Sequence, residues 1–221
     1  FSLVPLFLAI NGKGFIRSSI LGLICGFICF LGMTYWSLFV KEMGSLVFPA
    51  WVALSLYMAL YVSVFCMLVS LTTLPMASFI WVALEFARAH LFTGFPWVLL
   101  GYSQFKNITL IQTVSFTSVY GISFLIVLMN VGIAYFFLNI SKGKKAFTPF
   151  GFAIVFLIAC YTYGTLVLAG FTARDEYLDN SKLAETSDKK IKVSVTQGNI
   201  EQGIKWNETY AENTFQVYEK L

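Results

Sequence analysis

Long apolar stretches that are almost free of acidic residues occupy the first 172 residues. The only carboxylates there are Glu42 and Glu85, whereas the other nine of the 11 Asp and Glu residues follow. Charged residues make up 12% of the chain, against about 25% in typical soluble domains. A helix needs about 20 consecutive apolar residues to cross a bilayer core. The sequence therefore predicts a polytopic α-helical membrane bundle followed by a polar tail.

Turn residues and charges divide residues 1–172 into about six predicted spans, the first of them partial. The predicted spans cover residues 1–10, 16–39, 48–74, 75–91, 108–140 and 148–171. Pro75 suits the first turn of its helix, where the missing N–H costs little. Gly22, Gly26 and Gly32 are expected to let neighbouring helices approach closely. Residues 108–140 exceed the length of one span, so this helix is expected to tilt or protrude.

Basic residues in the short loops predict the orientation of the bundle. By span counting, Lys13 and Lys144 lie on one side together with the uncharged turn near Pro75. Positive loops of this kind face the cytoplasm. We therefore expect residues 92–105, and everything after residue 171, to face outward, which in a bacterium with two membranes means the periplasm.

The segment "LFTGFPWVLLGYSQF" (residues 91–105) interrupts the helical pattern with large aromatic residues. Gly94, Pro96 and Gly101 prevent a continuous helix, and irregular backbone near lipid persists only where protein or water satisfies it. Trp97 and Tyr102 fit an interfacial aromatic belt. They fit equally well a loop that contacts lipid substrates, and we name both as candidate substrate-binding residues. The sequence leaves the two interpretations open.

Two charged residues precede this segment. Glu85 and Arg88 are three residues apart on one predicted helix face, near its outer end. Side chains at this spacing are neighbours on a helix. Ionisable groups at membrane depth usually have a function, but these lie close enough to the interface to be an ordinary ion pair, and we favour this structural interpretation over a functional one.

The polar tail predicts a linker at residues 173–190 and the opening of an α/β domain at residues 191–221. Ile191, Val193 and Val195 alternate with polar residues, as in a half-buried strand. Gly198 ends this pattern, and Asn207 is placed to cap an amphipathic helix.

Ligands of α/β domains bind beyond the carboxyl ends of the strands. Gln197, Asn199 and Trp206 follow the predicted strand and are therefore further candidate substrate-binding residues. The chain starts at Phe1 inside an apolar run and stops at Leu221 inside a helical pattern, so we expect additional sequence on both sides.

The four cysteines lie inside apolar segments, and His90 has no neighbouring ligand in the sequence. We interpret the cysteines as buried packing residues and predict no metal site. No cofactor and no nucleic-acid partner is predicted. The cysteines are Cys25, Cys29, Cys66 and Cys160.

Two stretches in a fixed order carry a family resemblance. "LEFARAHLFTGFPW" in the membrane part and "VSVTQGNIEQGIKWN" in the tail resemble apolipoprotein N-acyltransferases, bacterial inner-membrane enzymes. One departure is Glu201, where many relatives have proline. The resemblance implies that the tail opens a nitrilase-like αββα domain and that this chain is the N-terminal half of the enzyme.

The resemblance also implies a two-step acyl transfer through a cysteine thioester. A phospholipid would donate the acyl chain, and the N-terminal diacylglyceryl-cysteine of a lipoprotein would receive it. The Glu–Lys–Cys triad of the family is expected beyond Leu221, so no catalytic residue is assigned here and the chain alone is predicted to be inactive. Membrane lipid, phospholipid and the diacylglyceryl apolipoprotein are the expected partners.

Three other classes of protein stay open at this point. A transporter would place polar or charged residues midway through several helices, and here the helix centres are almost free of them. A membrane-anchored amidase of the nitrilase superfamily would not need the aromatic loop. A non-catalytic membrane protein would not need an α/β domain.

Overall fold

Helices that begin and end near turn residues make up most of the chain in a computed structural model. The model describes residues 2–91, 94–140, 148–180, 194–195, 197–200 and 210–219. The α-helices are α1 Val4–Ile10, α2 Phe15–Met33, α3 Val47–Leu71, α4 Ala77–His90, α5 Ile108–Ile111, α6 Val114–Asn139, α7 Thr148–Asn180 and α8 Ala211–Glu219. Short 3₁₀ helices cover Tyr35–Phe39, Lys41–Leu46, Leu74–Met76 and Leu100–Gln104.

Among the described residues, four helices are long and apolar enough to cross a membrane, which confirms the membrane bundle but not six full spans. They cover Phe15–Met33, Gly44–Leu71, Val114–Asn139 and Thr148–Ala173. Helix α1 has 7 residues and α4 has 14. Fourteen residues rise about 21 Å, which is less than the roughly 30 Å of a bilayer core. Helix α4 therefore lies within the bundle as a shorter element.

Helices α2 and α3 pack closely, and glycine permits it. A Cβ atom at Gly22 would lie 2.7 Å from the Val62 carbonyl oxygen, and one at Gly26 would lie 2.9 Å from Val62 Cβ. These two glycines confirm the prediction of close approach. The prediction is wrong for Gly32, where an added Cβ meets nothing within 4 Å.

Hydroxyl groups reinforce the same helix pair. The Ser19 and Ser63 hydroxyls lie 2.8 Å apart, and the Ser63 hydroxyl also donates to the Ser19 carbonyl. The Thr34 and Ser55 hydroxyls lie 3.0 Å apart. Small residues and interhelical hydroxyl contacts are the usual means of association in lipid, where hydrophobic burial does not drive helices together.

The predicted single long helix over residues 108–140 is wrong. The structure has a short helix α5, capped by the Asn107 side chain that accepts from the Leu110 N–H, and then α6. Within α6, Ser118 has φ 59° and ψ 179°, which is not helical. The break shortens the continuous helix, so no unusual tilt is needed to fit one span.

The two ends of the bundle are formed by different segments of the chain. At one end, here called the turn end, a cavity of about 470 Å³ is lined by Asn11, by Thr73–Pro75 and by Tyr135, Leu138 and Asn139. Two of the turns that span counting places on one side, those at Asn11 and at Pro75, therefore meet there beside the end of α6. The other end, here called the loop end, holds residues 94–105 and the 3₁₀ helix Tyr35–Phe39.

The tail agrees with the prediction only in part. Helix α7 continues to Asn180, through the first residues of the predicted linker, and α8 confirms a helix after Asn207. The described residues contain no strand. Ser194 and Val195, which belong to the predicted strand, are described and are not in one. Residues 191–193 and Asn207 lie outside the described residues. The nitrilase-like domain and the domain boundaries stay predictions.

Candidate functional site

Residues 94–105 run without an α-helix between α4 and α5, and glycine fixes their path. Gly94 has φ 71°, and a Cβ there would collide with the Ala89 carbonyl oxygen. A Cβ at Gly101 would collide with the Val119 carbonyl oxygen on α6. Both positions therefore require glycine, and the loop is held close to the ends of α4 and α6.

Three polar side chains of the bundle hold the backbone of this loop. The Leu100 N–H donates to Glu85 Oε1 at 2.7 Å, and the Arg88 guanidinium donates to the Val98 carbonyl at 3.3 Å. The Gly101 N–H donates to the Ser123 hydroxyl at 2.9 Å. Since Glu85 and Arg88 are 5% and 4% exposed, the loop is anchored to buried charges.

The interpretation of Glu85 and Arg88 as an ordinary interfacial ion pair is wrong. Both are buried, and within the described residues they share no hydrogen bond. Arg88 instead faces the Met58 sulfur at 3.8 Å and the Phe30 ring at 5.7 Å. Buried charges of this kind need compensating partners, and here the loop carbonyl and amide supply them.

Val98 holds a strained conformation between exposed and buried neighbours. Its φ of 58° is rare for a β-branched residue. Trp97 before it is 54% exposed, whereas Leu99 after it is buried. Strain of this size costs about 1–3 kcal/mol and persists only where the surroundings determine the conformation. The buried Arg88 hydrogen bond to Val98 is one such determinant.

Three stacked rings form what we call the aromatic cluster, which consists of Trp36, Phe95 and Trp97. The Trp36 and Trp97 ring centroids are 4.9 Å apart with planes at 23°, and those of Phe95 and Trp97 are 6.1 Å apart at 20°. Trp36 was missed by sequence reasoning. Its position at the end of a predicted span is the only local signal, because its partner is distant in the sequence.

The structure places the other candidate residues in different ways. Tyr102 lies on the same loop as Trp97, in the 3₁₀ helix, and is 51% exposed. Gln197 and Asn199 are exposed residues of the tail, and Asn199 has a left-handed φ of 47°. The intervening Gly198 lies against the Tyr218 ring of α8. Trp206 lies outside the described residues.

The four cysteines differ in burial. Cys66 is buried, Cys25 and Cys160 are half-buried, and Cys29 is exposed, so the expectation of burial is wrong for Cys29. Among the described residues no three His, Cys, Asp or Glu side chains cluster closely enough to hold a metal ion. The loop end instead offers aromatic faces beside polar indole N–H groups, a surface suited to binding an apolar chain.

Comparison with known proteins identifies the family. Residues 1–132 match the model of the apolipoprotein N-acyltransferase N-terminal domain, which is more than half of the 221 residues. The chain belongs to the apolipoprotein N-acyltransferase family.

Relatives in several bacteria carry the name apolipoprotein N-acyltransferase. The protein of Geobacter metallireducens is 33% identical over 98% of this chain and 42% of its own length. The protein of Pasteurella multocida is 32% identical over 76% of this chain and 31% of its own length. The protein of Haemophilus influenzae is 30% identical over 89% of this chain and 36% of its own length. The chain thus spans about two-fifths or less of these relatives. Membership and four apolar helices make it a multi-pass membrane protein of an acyltransferase family.

Proposed function

We propose that the protein containing this chain transfers an acyl group from a phospholipid to the N-terminal diacylglyceryl-cysteine of a lipoprotein. Membership of the apolipoprotein N-acyltransferase family supports the reaction class. In the first step a cysteine thiolate attacks the phospholipid ester, forming a thioester and releasing the lysophospholipid. In the second step the α-amino group attacks the thioester, forming an amide and releasing the thiolate. The cysteine, with its carboxylate base and lysine, is expected beyond Leu221.

The contribution of this chain is the membrane part, with an entrance for acyl chains at the loop end. The observation that carries this assignment is the anchoring of Trp97. Its ring is half exposed and stacked on Trp36, while its loop is fixed by buried Glu85 and Arg88. An aromatic belt residue needs only an interfacial position, whereas fixing a ring in one orientation suits the binding of a particular ligand.

We assign Tyr102 to the same surface because it lies exposed on the same loop. Gln197, Asn199 and Trp206 are assigned to the opposite side of the entrance, on the domain that the tail is proposed to open. Trp97 and Trp206 each offer a broad apolar face with one polar N–H, which matches a lipid tail beside its headgroup.

The test is kinetic and uses the full-length enzyme. Trp97→Ala, Trp36→Ala and Trp206→Ala are compared in two assays, hydroxylamine-labile thioester formation from phospholipid and acyl transfer to a diacylglyceryl lipopeptide. Losing one aromatic contact removes about 1–3 kcal/mol of lipid interaction, or roughly five- to 150-fold in the step concerned. Phe137→Ala is the matched control, because Phe137 is an exposed aromatic near the turn end of α6.

If all three tryptophan variants fold normally and keep normal rates in both assays, the aromatic cluster is only an interfacial aromatic belt and does not bind the substrate. Equal losses in the Phe137→Ala control would show that any exposed aromatic matters, and would also contradict a specific entrance.

A further inference from the structure

A groove of about 330 Å³ lies between α6 and α7, and two pairs of aromatic rings bridge the helices along it. The ring centroids of Phe116 and Tyr163 are 5.0 Å apart with planes at 83°, and those of Phe124 and Phe156 are 6.2 Å apart at 74°. All four residues line the groove, and each pair takes one ring from α6 and one from α7. The groove therefore has an aromatic pair towards each of its ends.

Close backbone contacts hold α7 in place beyond both ends of the groove. A Cβ atom at Gly132 of α6 would lie 2.9 Å from Phe150 Cα, and one at Gly164 of α7 would collide with the Thr109 carbonyl oxygen of α5. Helix α7 is unbroken from Phe150 to Gly164, a length of roughly 21 Å. Another helix, about 10 Å across with its side chains, cannot enter between contacts this close. The groove admits only a narrower occupant.

The wall of the groove favours an apolar occupant. The Thr113 hydroxyl donates to the Leu110 carbonyl and the Thr117 hydroxyl donates to the Thr113 carbonyl, both at 2.8 Å. The Tyr163 hydroxyl lies 3.2 Å from the Ser115 hydroxyl. The hydroxyls of the wall are thus already hydrogen-bonded, and the other lining residues are Gly, Ala, Cys, Ile, Leu and Phe. An apolar cavity of about 150 Å³ excludes water and binds benzene, and this groove has more than that volume.

The position of the groove in the bundle selects the chemistry of its occupant. It starts at Thr113, where α6 begins at the loop end, and reaches Leu125, near the middle of α6. On α7 its lining residues run from Phe156 to Tyr163, roughly 10 Å along the helix, against about 15 Å for one leaflet of the bilayer core. Since Phe116 at its rim is 65% exposed, the groove opens sideways towards lipid. A single hydrocarbon chain from the loop-end leaflet fits this depth and width.

We propose that the groove binds one acyl chain of a resident membrane phospholipid whose headgroup lies at the loop end. The chain fills the space beside Gly121 and Ala159, two small residues that line the groove. They lie at the same level, because each is three positions from its own ring in the Phe124–Phe156 pair. No residue of the aromatic cluster is among the described residues that line the groove. The site is therefore separate from the proposed entrance, and its occupancy does not depend on the proposed acyl transfer.

The direct test is photo-crosslinking of the full-length protein. The probe is a phosphatidylethanolamine with a diazirine midway along one acyl chain, exchanged into the protein before excess lipid is removed with detergent. Peptide mass spectrometry should place most adducts on groove residues such as Phe116, Cys160 and Tyr163. Phe152 and Leu166, which are exposed on α7 outside the groove, should carry several-fold fewer adducts. Equal labelling of both sets would show general contact with lipid and would overturn the proposal.

A groove-filling variant gives the second readout. Ala159→Phe places a ring in the groove, whereas Ala169→Phe makes the same change at an exposed α7 position outside it. In native mass spectrometry of the delipidated full-length protein, we expect the unmodified protein and Ala169→Phe to retain one more phospholipid than Ala159→Phe. Equal retention by the two folded variants would contradict the site. If Ala159→Phe does not fold, the crosslinks of the native protein decide.

One further variant separates this site from the proposed function. Trp97→Ala alters the proposed entrance and should leave the retained phospholipid and its crosslinks to Cys160 unchanged. A loss of the groove crosslinks in folded Trp97→Ala would show that the lipid belongs to the entrance, and would contradict a separate site. Normal acyl transfer by Trp97→Ala would count against the entrance alone.

Discussion

At the scale of single residues, Glu85 combines burial with a hydrogen bond to the loop. One carboxylate oxygen accepts from the Leu100 N–H of the loop, and the other has no hydrogen-bond partner among the described residues. Removing the carboxylate would leave the loop amide unpaired and the Arg88 charge without its nearest opposite charge. The residue is therefore a structural anchor whose loss affects two elements.

We expect Glu85→Ala to lower the free energy of unfolding. An unsatisfied buried donor costs roughly 1–3 kcal/mol, and more when the group left behind is charged, as Arg88 is. The measurement is thermal or denaturant-induced unfolding in detergent or nanodiscs. Glu212→Ala is the control, since Glu212 is exposed on α8 and its loss should change stability by less than about 0.5 kcal/mol. Equal stability of the two variants would contradict the anchor.

Sequence patterns reveal the candidate residues but not how they are held. Trp97 and Tyr102 were predicted from their helix-breaking neighbours, and the structure places both on an exposed loop. The stacking partner Trp36 was not predictable, because contacts between distant segments leave no periodic signal. The φ of Val98 was equally hidden, since valine is an unusual residue for a left-handed conformation.

At the scale of elements, the α2–α3 contact depends on the absence of side chains at two glycines. We expect Gly26→Leu to destabilise the bundle by about 1–3 kcal/mol, the usual cost of overpacking, because an added Cβ already lies 3.1 Å from Ala59 Cα. Gly32→Leu is the matched control, since the space around Gly32 is open. Unfolding in nanodiscs measures both. If Gly32→Leu proves as harmful as Gly26→Leu, the close approach is not the cause.

The break in α6 gives a second element-level prediction. Ser118 is exposed and has φ 59° and ψ 179°, a region that suits glycine almost exclusively. Ser118→Gly should therefore raise the free energy of unfolding by about 1 kcal/mol. The gain is smaller than the full strain energy, because glycine also has greater conformational freedom in the unfolded chain. Ser118→Ala retains the strain and serves as control. A stabilisation of equal size in both variants would show that the backbone conformation is not responsible.

Elements with strong apolar patterns were predictable, and their interruptions were not. The turn at Pro75 and the end of α4 near Leu91 follow the sequence signals. The break at Ser118 carries no proline and no glycine at that position, so hydropathy alone predicts a single helix through it. The alternating residues before Gly198 predict a strand. Ser194 and Val195 are not in one, and the prediction stays untested for residues 191–193, which lie outside the described residues.

At the scale of the whole molecule, the turn end and the loop end have different chemistry. The turn end carries the loop with Lys13 and Arg17, and the lysines of "SKGKKA" follow the end of α6 there. The loop end carries the aromatic cluster and the anchored residues 94–105. Since short cytoplasmic loops are enriched in lysine and arginine, the turn end is expected to face the cytoplasm.

Cysteine labelling tests this orientation. In a variant that lacks Cys25, Cys29, Cys66 and Cys160 and still folds, a single cysteine is placed at Asn180 or at Lys144. A membrane-impermeant reagent added to intact spheroplasts should modify Asn180→Cys at the end of α7 and spare Lys144→Cys, which should react only after permeabilisation. The reverse pattern would overturn the orientation. It would also move the aromatic cluster to the cytoplasmic face, and the proposed entrance would then open on the side opposite the periplasmic domain that it is meant to serve.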